Sequence, residues 1–185
     1  MSDPSGRVVA AAMRCFASKG YRATTMADIE EAAGLKPGAG GTYRHFASKR
    51  AILDAVIDAA LAERDEVLAP APLSLEAAAR DALVQLDRHR DLMGLMLRDL
   101  GQFPDLQTKV IKRLVTGPIR LVAERTAAVA PQLDADALAV LLVGALVNVK
   151  VMEMLGRGSR IRVSQKRLVD AWAHLYRSSV AGKAR

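Results

Sequence analysis

Apolar residues recur at three- and four-residue spacing along almost the whole chain, and this periodicity limits the possible folds more than any other feature. The segments that carry it are rich in Ala, Leu, Val, Arg and Glu, which include the strongest helix formers. No segment alternates between apolar and polar residues for long enough to form a sheet. We therefore predict an all-α protein.

Start and stop signals divide this pattern into helices. Thr25, followed three residues later by Asp28, has the form of a capping box for a short second helix, and Gly34 ends it. The Pro-containing residues 69–72 predict either a break in the chain or only a kinked connection between helices. The predicted helices cover about residues 6–18, 26–33, 49–68, 75–90, 91–100, 105–115, 118–129, 135–155 and 164–180.

Composition excludes several classes of protein. The 185 residues are 51% hydrophobic and 25% charged, which is unlike a disordered or collagen-like chain. One cysteine, Cys15, cannot form an internal disulfide, and with three scattered histidines it cannot assemble a zinc site. The longest apolar run, residues 137–147, is about half of a membrane span, and the N-terminus lacks a signal-peptide core. We expect a soluble cytoplasmic protein without a metal or other cofactor.

The net charge of +7 is unevenly distributed. Residues 1–50 carry eight Lys/Arg against four Asp/Glu, whereas residues 51–155 carry eleven against fifteen. A basic N-terminal block suggests a polyanionic partner for that part of the chain. The basic residues between Arg157 and Arg167 admit three readings: a solvated loop, an anion or phosphate site, or an extra DNA contact.

Residues 26–46 suggest a helix-turn-helix unit, because two short helices joined by a glycine turn lie between a packing helix and a long helix. In such a unit the first helix approaches a phosphate with its N-terminus and the second enters the major groove. Thr25 offers a hydroxyl and backbone N–H groups at the helix start. The nearby hydrogen-bond donors are Lys36, Tyr43, Arg44, His45 and Lys49.

Spaced residues in this segment carry a family likeness. Residues 16–29 read FASKGYRATTMADI, residues 32–35 read AAGL, and residues 42–46 read TYRHF, followed by Ser48 and Lys49. This set resembles the N-terminal DNA-binding domain of TetR-family transcriptional regulators over about residues 7–55. The resemblance implies phosphate contacts at Thr25, Tyr43, His45 and Lys49, and groove contacts at Lys36, Pro37, Gly38 and Thr42.

The glycines of this segment depart from the commoner family pattern. Gly40 and Gly41 lengthen the interval between the turn and Tyr43, and Thr42 replaces a larger apolar residue. Each glycine in a recognition helix costs about 1 kcal/mol of helical preference relative to Ala. We expect an irregular or widened start to this helix, which becomes fully ordered only on DNA.

The predicted helix 135–155 is apolar on more than one face, so it has to be buried on two sides. One side can face its own domain and the other a second subunit, with helix 164–180 beside it. This agrees with the four-helix dimer interface that the resemblance implies. The predicted interface residues are Leu138, Leu141, Leu142, Ala145, Val149, Met152, Leu168, Ala171, Trp172 and Leu175.

The resemblance also implies an effector pocket among the C-terminal helices. Its predicted lining is Met93, Met96, Leu97, Leu100, Phe103, Val110, Leu114, Val143, Val147 and Asn148, with Arg98, Asp99 and Asn148 as candidate polar contacts. Four of the seven aromatic residues lie in the DNA-binding segment, so few remain to stack on a planar ligand. We therefore expect an aliphatic or otherwise non-planar effector.

These features predict a DNA-binding domain at residues 1–50 and an effector-binding and dimerisation domain at residues 51–185. The expected function is a homodimeric regulator, more specifically a repressor that a small molecule releases from a palindromic operator. The alternatives are an activator, a ligand-independent regulator, or a helical binding protein or enzyme that carries a DNA-binding module. No nucleophile–base pair or phosphate-binding glycine loop supports catalysis, so we do not expect an enzyme.

Overall fold

The computed structural model describes residues 4–38, 40–66, 74–154 and 163–182, and the regular structure in these ranges is entirely helical. The prediction of an all-α protein is therefore confirmed. In chain order the α-helices are α1 (Pro4–Lys19), α2 (Met26–Ala32), α3 (Lys49–Glu66), α4 (Leu75–Arg88), α5 (Arg90–Arg98), α6 (Pro104–Ile111), α7 (Gly117–Val129), α8 (Ala135–Met154) and α9 (Gln165–Ala181). Short 3₁₀ turns form at Thr42–Arg44 and Leu100–Gln102, and a π-helical turn forms at Lys112–Thr116.

Most predicted helix ends lie within two residues of the observed ends. The exception is α6, which stops at Ile111 and passes into the π-helical turn. The predicted helix ends at 68 and 155, the break at 69–72 and the basic residues 157–162 lie outside the described residues.

The chain divides into two units. The first combines Met1–Leu68 with His89–Val110, and the second combines Ala69–Arg88 with Ile111–Arg185. The first unit is therefore larger than the predicted DNA-binding domain of residues 1–50, because it also contains α3, α5 and most of α6. Residues 89–110 join the first unit although their own sequence contains no signal that predicts this association.

The core of the first unit forms around one face of α1. Phe16 is completely buried, and Val8, Ala12 and Cys15 lie on the same face, as the helical spacing predicts. This face packs against α2, α3 and α5. Burying an aromatic or aliphatic side chain of this kind contributes about 1.5–3 kcal/mol. Packing of α1 therefore holds the short helix α2, which is too short to be stable alone.

The end of α5 supports the end of α1. In the last turn of α1, the guanidinium of Arg98 donates hydrogen bonds to the backbone carbonyl of Phe16, which also accepts from the N–H of Gly20, and to that of Ala17. The carboxylate of the next residue, Asp99, accepts from the backbone N–H of Tyr21 at 3.3 Å. These bonds fix the position of the chain where it leaves α1.

An aromatic contact continues this association. The rings of Tyr21 and Phe103 pack nearly perpendicular to each other with a centroid separation of 4.9 Å. The guanidinium of Arg50 lies 4.8 Å from the Phe103 ring centre and pairs with Asp105. The residues that follow α5 therefore hold both the loop between α1 and α2 and the start of α3.

The core of the second unit forms between α4, α8 and α9. Its buried residues are Ala79, Leu83, Leu142, Leu146, Val169, Trp172 and Ala173. The indole N–H of Trp172 donates to the backbone carbonyl of Leu142 at 2.9 Å. Leu142 and Trp172, which the sequence assigned to a dimer interface, are thus part of the core of their own unit.

The opposite face of α8 is apolar and uncovered. Leu141 is 67% exposed and Val140 53% exposed, and Ala145 and Met152 are also exposed. By length and composition alone, α8 is apolar enough to cross a membrane. Its uninterrupted apolar run, residues 137–147, was the only part compared with a membrane span from the sequence, and α8 is longer than that run.

The start of α2 is closed by the predicted capping box. The hydroxyl of Thr25 accepts from the backbone N–H of Asp28 at 3.1 Å. In return the Asp28 carboxylate accepts from the backbone N–H of Thr25 at 2.7 Å and from its hydroxyl at 2.8 Å. Lys19 pairs with the same carboxylate at 2.5 Å. The Lys19 ammonium, followed by the two Thr25 donors, holds the pKa of Asp28 well below its ordinary value of 3.8.

This geometry predicts a pH-dependent contribution from Asp28. Because its pKa is lowered by folding, the stabilisation is present above the ordinary value of 3.8 and is lost as the pH falls toward the lowered value. We expect Asp28→Asn to be less stable than wild type at neutral pH, and the difference to shrink below about pH 4.

Thr25→Ala removes the other half of the capping box and should lower the free energy of unfolding by about 1 kcal/mol. Urea unfolding monitored by circular dichroism measures both effects.

The matched control is Asp81→Asn, on the exposed surface of α4. A stability difference for Asp28→Asn that stayed constant from neutral to strongly acidic pH would show that the charged carboxylate of Asp28 does not stabilise the fold.

Candidate nucleic-acid interface

The segment after α2 forms turns instead of the second α-helix of a regular helix-turn-helix unit. Gly34, Gly38 and Gly40 have φ angles of 70°, 76° and 70°, in the left-handed region. A right-handed helix cannot continue through such residues. Within the described residues between α2 and α3, the helical structure is limited to the 3₁₀ turn Thr42–Arg44. The expected irregularity therefore extends through most of the segment.

Most residues predicted to contact DNA lie on the surface. The exposed ones are Thr25, Lys36, Pro37, Gly38, Tyr43, Arg44 and His45. Tyr43 is 58% exposed, which is unusual for an aromatic ring outside an interface. The two cations Lys36 and Arg44 lie on either side of the glycine turn in the sequence. A short segment thus presents cationic, hydroxyl and imidazole groups to solvent.

Thr42 is placed differently from the expectation. Its side chain is completely buried, and its carbonyl accepts hydrogen bonds from the backbone N–H groups of His45 and Phe46, each at 3.0 Å. A buried hydroxyl cannot reach a base edge. Thr42 therefore holds the 3₁₀ turn from the interior of the domain, and this placement argues against direct base contact.

Lys49 uses its ammonium group inside the protein. The Nζ atom donates to the backbone carbonyls of Tyr21 at 2.9 Å, Arg22 at 3.4 Å and Thr24 at 2.7 Å. It also lies 4.5 Å from the centre of the Tyr21 ring. An ammonium group has three protons, so these three carbonyls account for its donors. Lys49 ties the first turn of α3 to the loop between α1 and α2.

Thr25 is likewise engaged. Its hydroxyl and backbone N–H both bond to Asp28 in the capping box. In the first turn of α2 the backbone N–H groups of Met26 and Ala27 have no helical carbonyl to bond, whereas that of Asp28 donates to the Thr25 hydroxyl. These groups and the positive end of the helix dipole suit an anion.

Sequence reasoning missed one residue of this region, Glu30. Its side chain is only 3% exposed, and Oε2 accepts a hydrogen bond from the backbone N–H of Gly38 at 2.9 Å. The available signal was its position between buried Ile29 and Ala33 on a short helix, where a carboxylate needs a specific partner.

The predicted effector residues are distributed over both units. In the first unit Met93, Leu100 and Val110 are buried, Met96 and Phe103 are half-buried, and Leu97 is exposed. In the second unit Leu114, Val143 and Val147 are half-buried and Asn148 is exposed. Phe103 packs on Tyr21, Arg98 and Asp99 support α1, and the expected buried amide at Asn148 is instead on the surface. The pocket as a whole stays a prediction.

A separate open depression of about 410 Å³ lies between α7 and the start of α8. It is lined by Arg120, Ala123, Glu124, Ala127, Leu133, Asp134, Ala135 and Asp136. None of these belongs to the predicted effector set. Among the described residues, no group of three or more His, Cys, Asp or Glu is placed to hold a metal ion.

The predicted dimer residues separate into two groups. Leu142 and Trp172 are buried, and Leu138, Val149 and Leu168 are half-buried. The remaining residues are exposed: Leu141, Ala145, Met152, Ala171 and Leu175. The exposed members follow helical spacing along α8 and α9, so each helix presents one uncovered apolar stripe.

Comparisons with known proteins agree with this geometry. Residues 8–56 match the model of bacterial regulatory proteins of the tetR family. No curated protein matches the chain.

Solved structures match it over nearly its full length. A TetR-like transcriptional regulator from Rhodococcus sp. RHA1 is 23% identical, with 97% of each chain covered and a TM-score of 0.68. The fatty acid degradation regulator FadR from Bacillus halodurans is 16% identical, with 100% of this chain and 98% of that chain covered and a TM-score of 0.66. At these identities the likeness shows the fold, and the family model identifies the N-terminal domain. Residues 8–56 therefore match the tetR family of bacterial regulatory proteins, and the chain as a whole has the fold of solved TetR-like transcriptional regulators.

Proposed function

We propose that this protein is a homodimeric repressor that binds a palindromic operator and is released from it by a small, largely apolar effector. The observation that carries the DNA part is the exposed group of donors on either side of the glycine turn in the sequence, formed by Lys36, Tyr43, Arg44 and His45. Such donors fix the register of a protein on the phosphate backbone.

The described side chains suggest a division of labour on DNA. Lys36, with the exposed backbone at Pro37 and Gly38, is the candidate for base reading, since lysine can donate to the O6 and N7 acceptors of guanine. Tyr43, Arg44 and His45 are the candidate phosphate contacts, together with the first backbone N–H groups of α2. Thr42 and Lys49 support this surface from inside the domain.

The uncovered apolar stripes of α8 and α9 support dimerisation. Leu141, Ala145 and Met152 recur at helical spacing on α8, and Ala171 and Leu175 do so on α9. A second copy of the chain is the proposed occupant of this face, because a two-fold contact uses the same surface on both subunits. The resulting symmetry requires an operator with two inverted half-sites, about 34–36 Å apart. In this proposal α8 is a dimer helix of a cytoplasmic protein.

An aliphatic effector is favoured because the aromatic rings outside the DNA-binding segment already pack against other side chains of the protein. The Phe103 ring packs against the Tyr21 ring and the Arg50 guanidinium. Trp172 lies in the core of the second unit, and the Tyr176 ring stacks on it. Aliphatic side chains and methionines such as Met93 and Met96 are left to contact a ligand. The Bacillus halodurans regulator of similar fold is named for fatty acid degradation, which is compatible with this class. The effector would stabilise the arrangement that fits the operator poorly.

We expect distinct effects of three cation substitutions on binding to duplexes that the wild type selects from a randomised pool. Arg44→Ala should weaken binding to all duplexes similarly and reduce the slope of log affinity against log salt by about one. Lys36→Ala should change sequence preference by about 1–3 kcal/mol at one position. Lys49→Met should weaken binding while leaving the salt slope unchanged, because its charge serves internal carbonyls.

Fluorescence anisotropy over a salt series measures these effects, and Arg120→Ala on exposed α7 is the control. A wild-type protein with no salt-dependent duplex binding would refute the DNA function. A reduced slope for Lys49→Met would make Lys49 a phosphate contact.

Leu141→Glu should convert the dimer to a monomer, because it places a charge at the centre of the apolar face. Analytical ultracentrifugation measures the change, and Val84→Glu on the exposed side of α4 is the matched control. The loss of the dimer should also remove specific DNA binding while leaving the helical content unchanged. A monomeric wild type, or a dimeric Leu141→Glu variant, would contradict the proposed interface.

The effector class can be tested with two probes on the wild-type protein–DNA complex. A saturated long-chain acyl compound should lower operator affinity at least about tenfold, whereas a planar cationic dye should not. Release by the dye alone would contradict the aliphatic assignment. A reporter gene placed behind the operator then separates repression from the rival function, activation.

A further inference from the structure

Glu30 combines deep burial with a bond to the DNA-facing turn. It lies on α2 beside completely buried Ile29, and its own side chain is 3% exposed. One carboxylate oxygen accepts from Gly38, while the other has no hydrogen-bond partner among the described residues. Burying a carboxylate opposes folding unless its hydrogen bonds offset the lost hydration. An apolar side chain would fill the same space without that penalty, so packing alone does not explain a carboxylate here.

The bond reaches the irregular part of the segment between α2 and the 3₁₀ turn. Leu35 still bonds to α2 through its backbone N–H, and Thr42 begins the 3₁₀ turn. Between them, Pro37 and Gly38 lie in a hydrogen-bonded turn, and the bond from the Gly38 N–H to Glu30 joins this turn to α2. Glycine backbone in this interval has wide conformational freedom. The carboxylate therefore ties the turn to the buried side of α2.

We infer that Glu30 is a positioning residue for DNA sequence recognition, which holds the turn at Gly38 so that Lys36 meets a base edge in one orientation. This inference rests on the proposed DNA-binding function. Lys36, Pro37 and Gly38 are all exposed, so the bond connects the interior of the domain to the surface that would enter the groove. Base reading requires this orientation, whereas phosphate attraction does not.

The negative charge of Glu30 makes the role distinguishable from general support. A carboxylate beneath a phosphate-binding surface opposes DNA binding of any sequence. Removing it should leave non-specific affinity unchanged or higher, while the loss of the turn anchor lowers specific affinity. A residue that merely stabilised the domain would lower both affinities together.

The test compares Glu30→Leu, which removes the acceptor and the charge, with Glu30→Gln, which removes the charge and keeps an acceptor for Gly38. The probes are the operator selected by the wild type and a scrambled duplex of equal length, over a salt series. Glu30→Leu should reduce the ratio of specific to non-specific affinity at least about tenfold. Glu30→Gln should restore most of that ratio. Glu31→Gln is the matched control, since it removes an exposed charge from the same helix and should leave the ratio unchanged.

Amide hydrogen exchange provides a second measurement that needs no DNA. The Gly38 amide should be protected in the wild type and in Glu30→Gln, and should exchange rapidly in Glu30→Leu. This result separates the two proposals, because a protein that bound no duplex would refute the DNA function while the exchange data still tested the bond.

An unchanged affinity ratio in a folded Glu30→Leu protein would overturn the inference, as would equal losses of specific and non-specific affinity. Where Glu30→Leu does not fold, Gly38→Ala replaces it. Its side chain meets open space, but its φ of 76° is strained for alanine, so the same turn is disturbed from the solvent side. An unchanged ratio in Gly38→Ala would also overturn the inference.

Discussion

Hydrogen bonds between buried or half-buried side chains and backbone groups determine the shape of the proposed DNA-binding surface. Regular helix covers little of that surface, because glycines with positive φ interrupt the chain between α2 and α3. Lys49 gathers three carbonyls of the loop before α2, and Glu30 holds the N–H of Gly38 in the turn after it. Charged side chains thus replace the helical hydrogen bonds that would otherwise order this backbone.

Side chains of residues 89–110, which also belong to the first unit, likewise hold its backbone in place. Arg98 caps the end of α1, Asp99 accepts from Tyr21, and Phe103 packs against the Tyr21 ring. A displacement of α5 would therefore act directly on the loop that Lys49 also holds. In the proposed mechanism this is a physical route by which an effector near Met93 could alter DNA affinity, since both sites bias one set of contacts.

The sequence predicted regular helices and their caps well, because these depend on local chemistry. The capping box at Thr25 and Asp28 and the buried stripe of α1 are examples. It predicted side-chain roles in the candidate site less well. The motif identified Lys49 and Thr42 as DNA contacts, but one is engaged by carbonyls from residues 21–24 and the other is buried. Residue type and spacing do not reveal which of several possible acceptors a donor will reach.

The sequence by itself determined the helical class, the family of the N-terminal domain and the position of the glycine turn, since periodicity, capping and backbone freedom act over a few residues. Tertiary structure alone decided that residues 89–110 join the N-terminal unit, that Trp172 faces the core and Leu141 faces outward, and that Glu30 supports Gly38. These outcomes depend on contacts between segments far apart in the chain. In α8 the apolar residues surround the helix, so the pattern could not select the buried face and packing against α4 and α9 did.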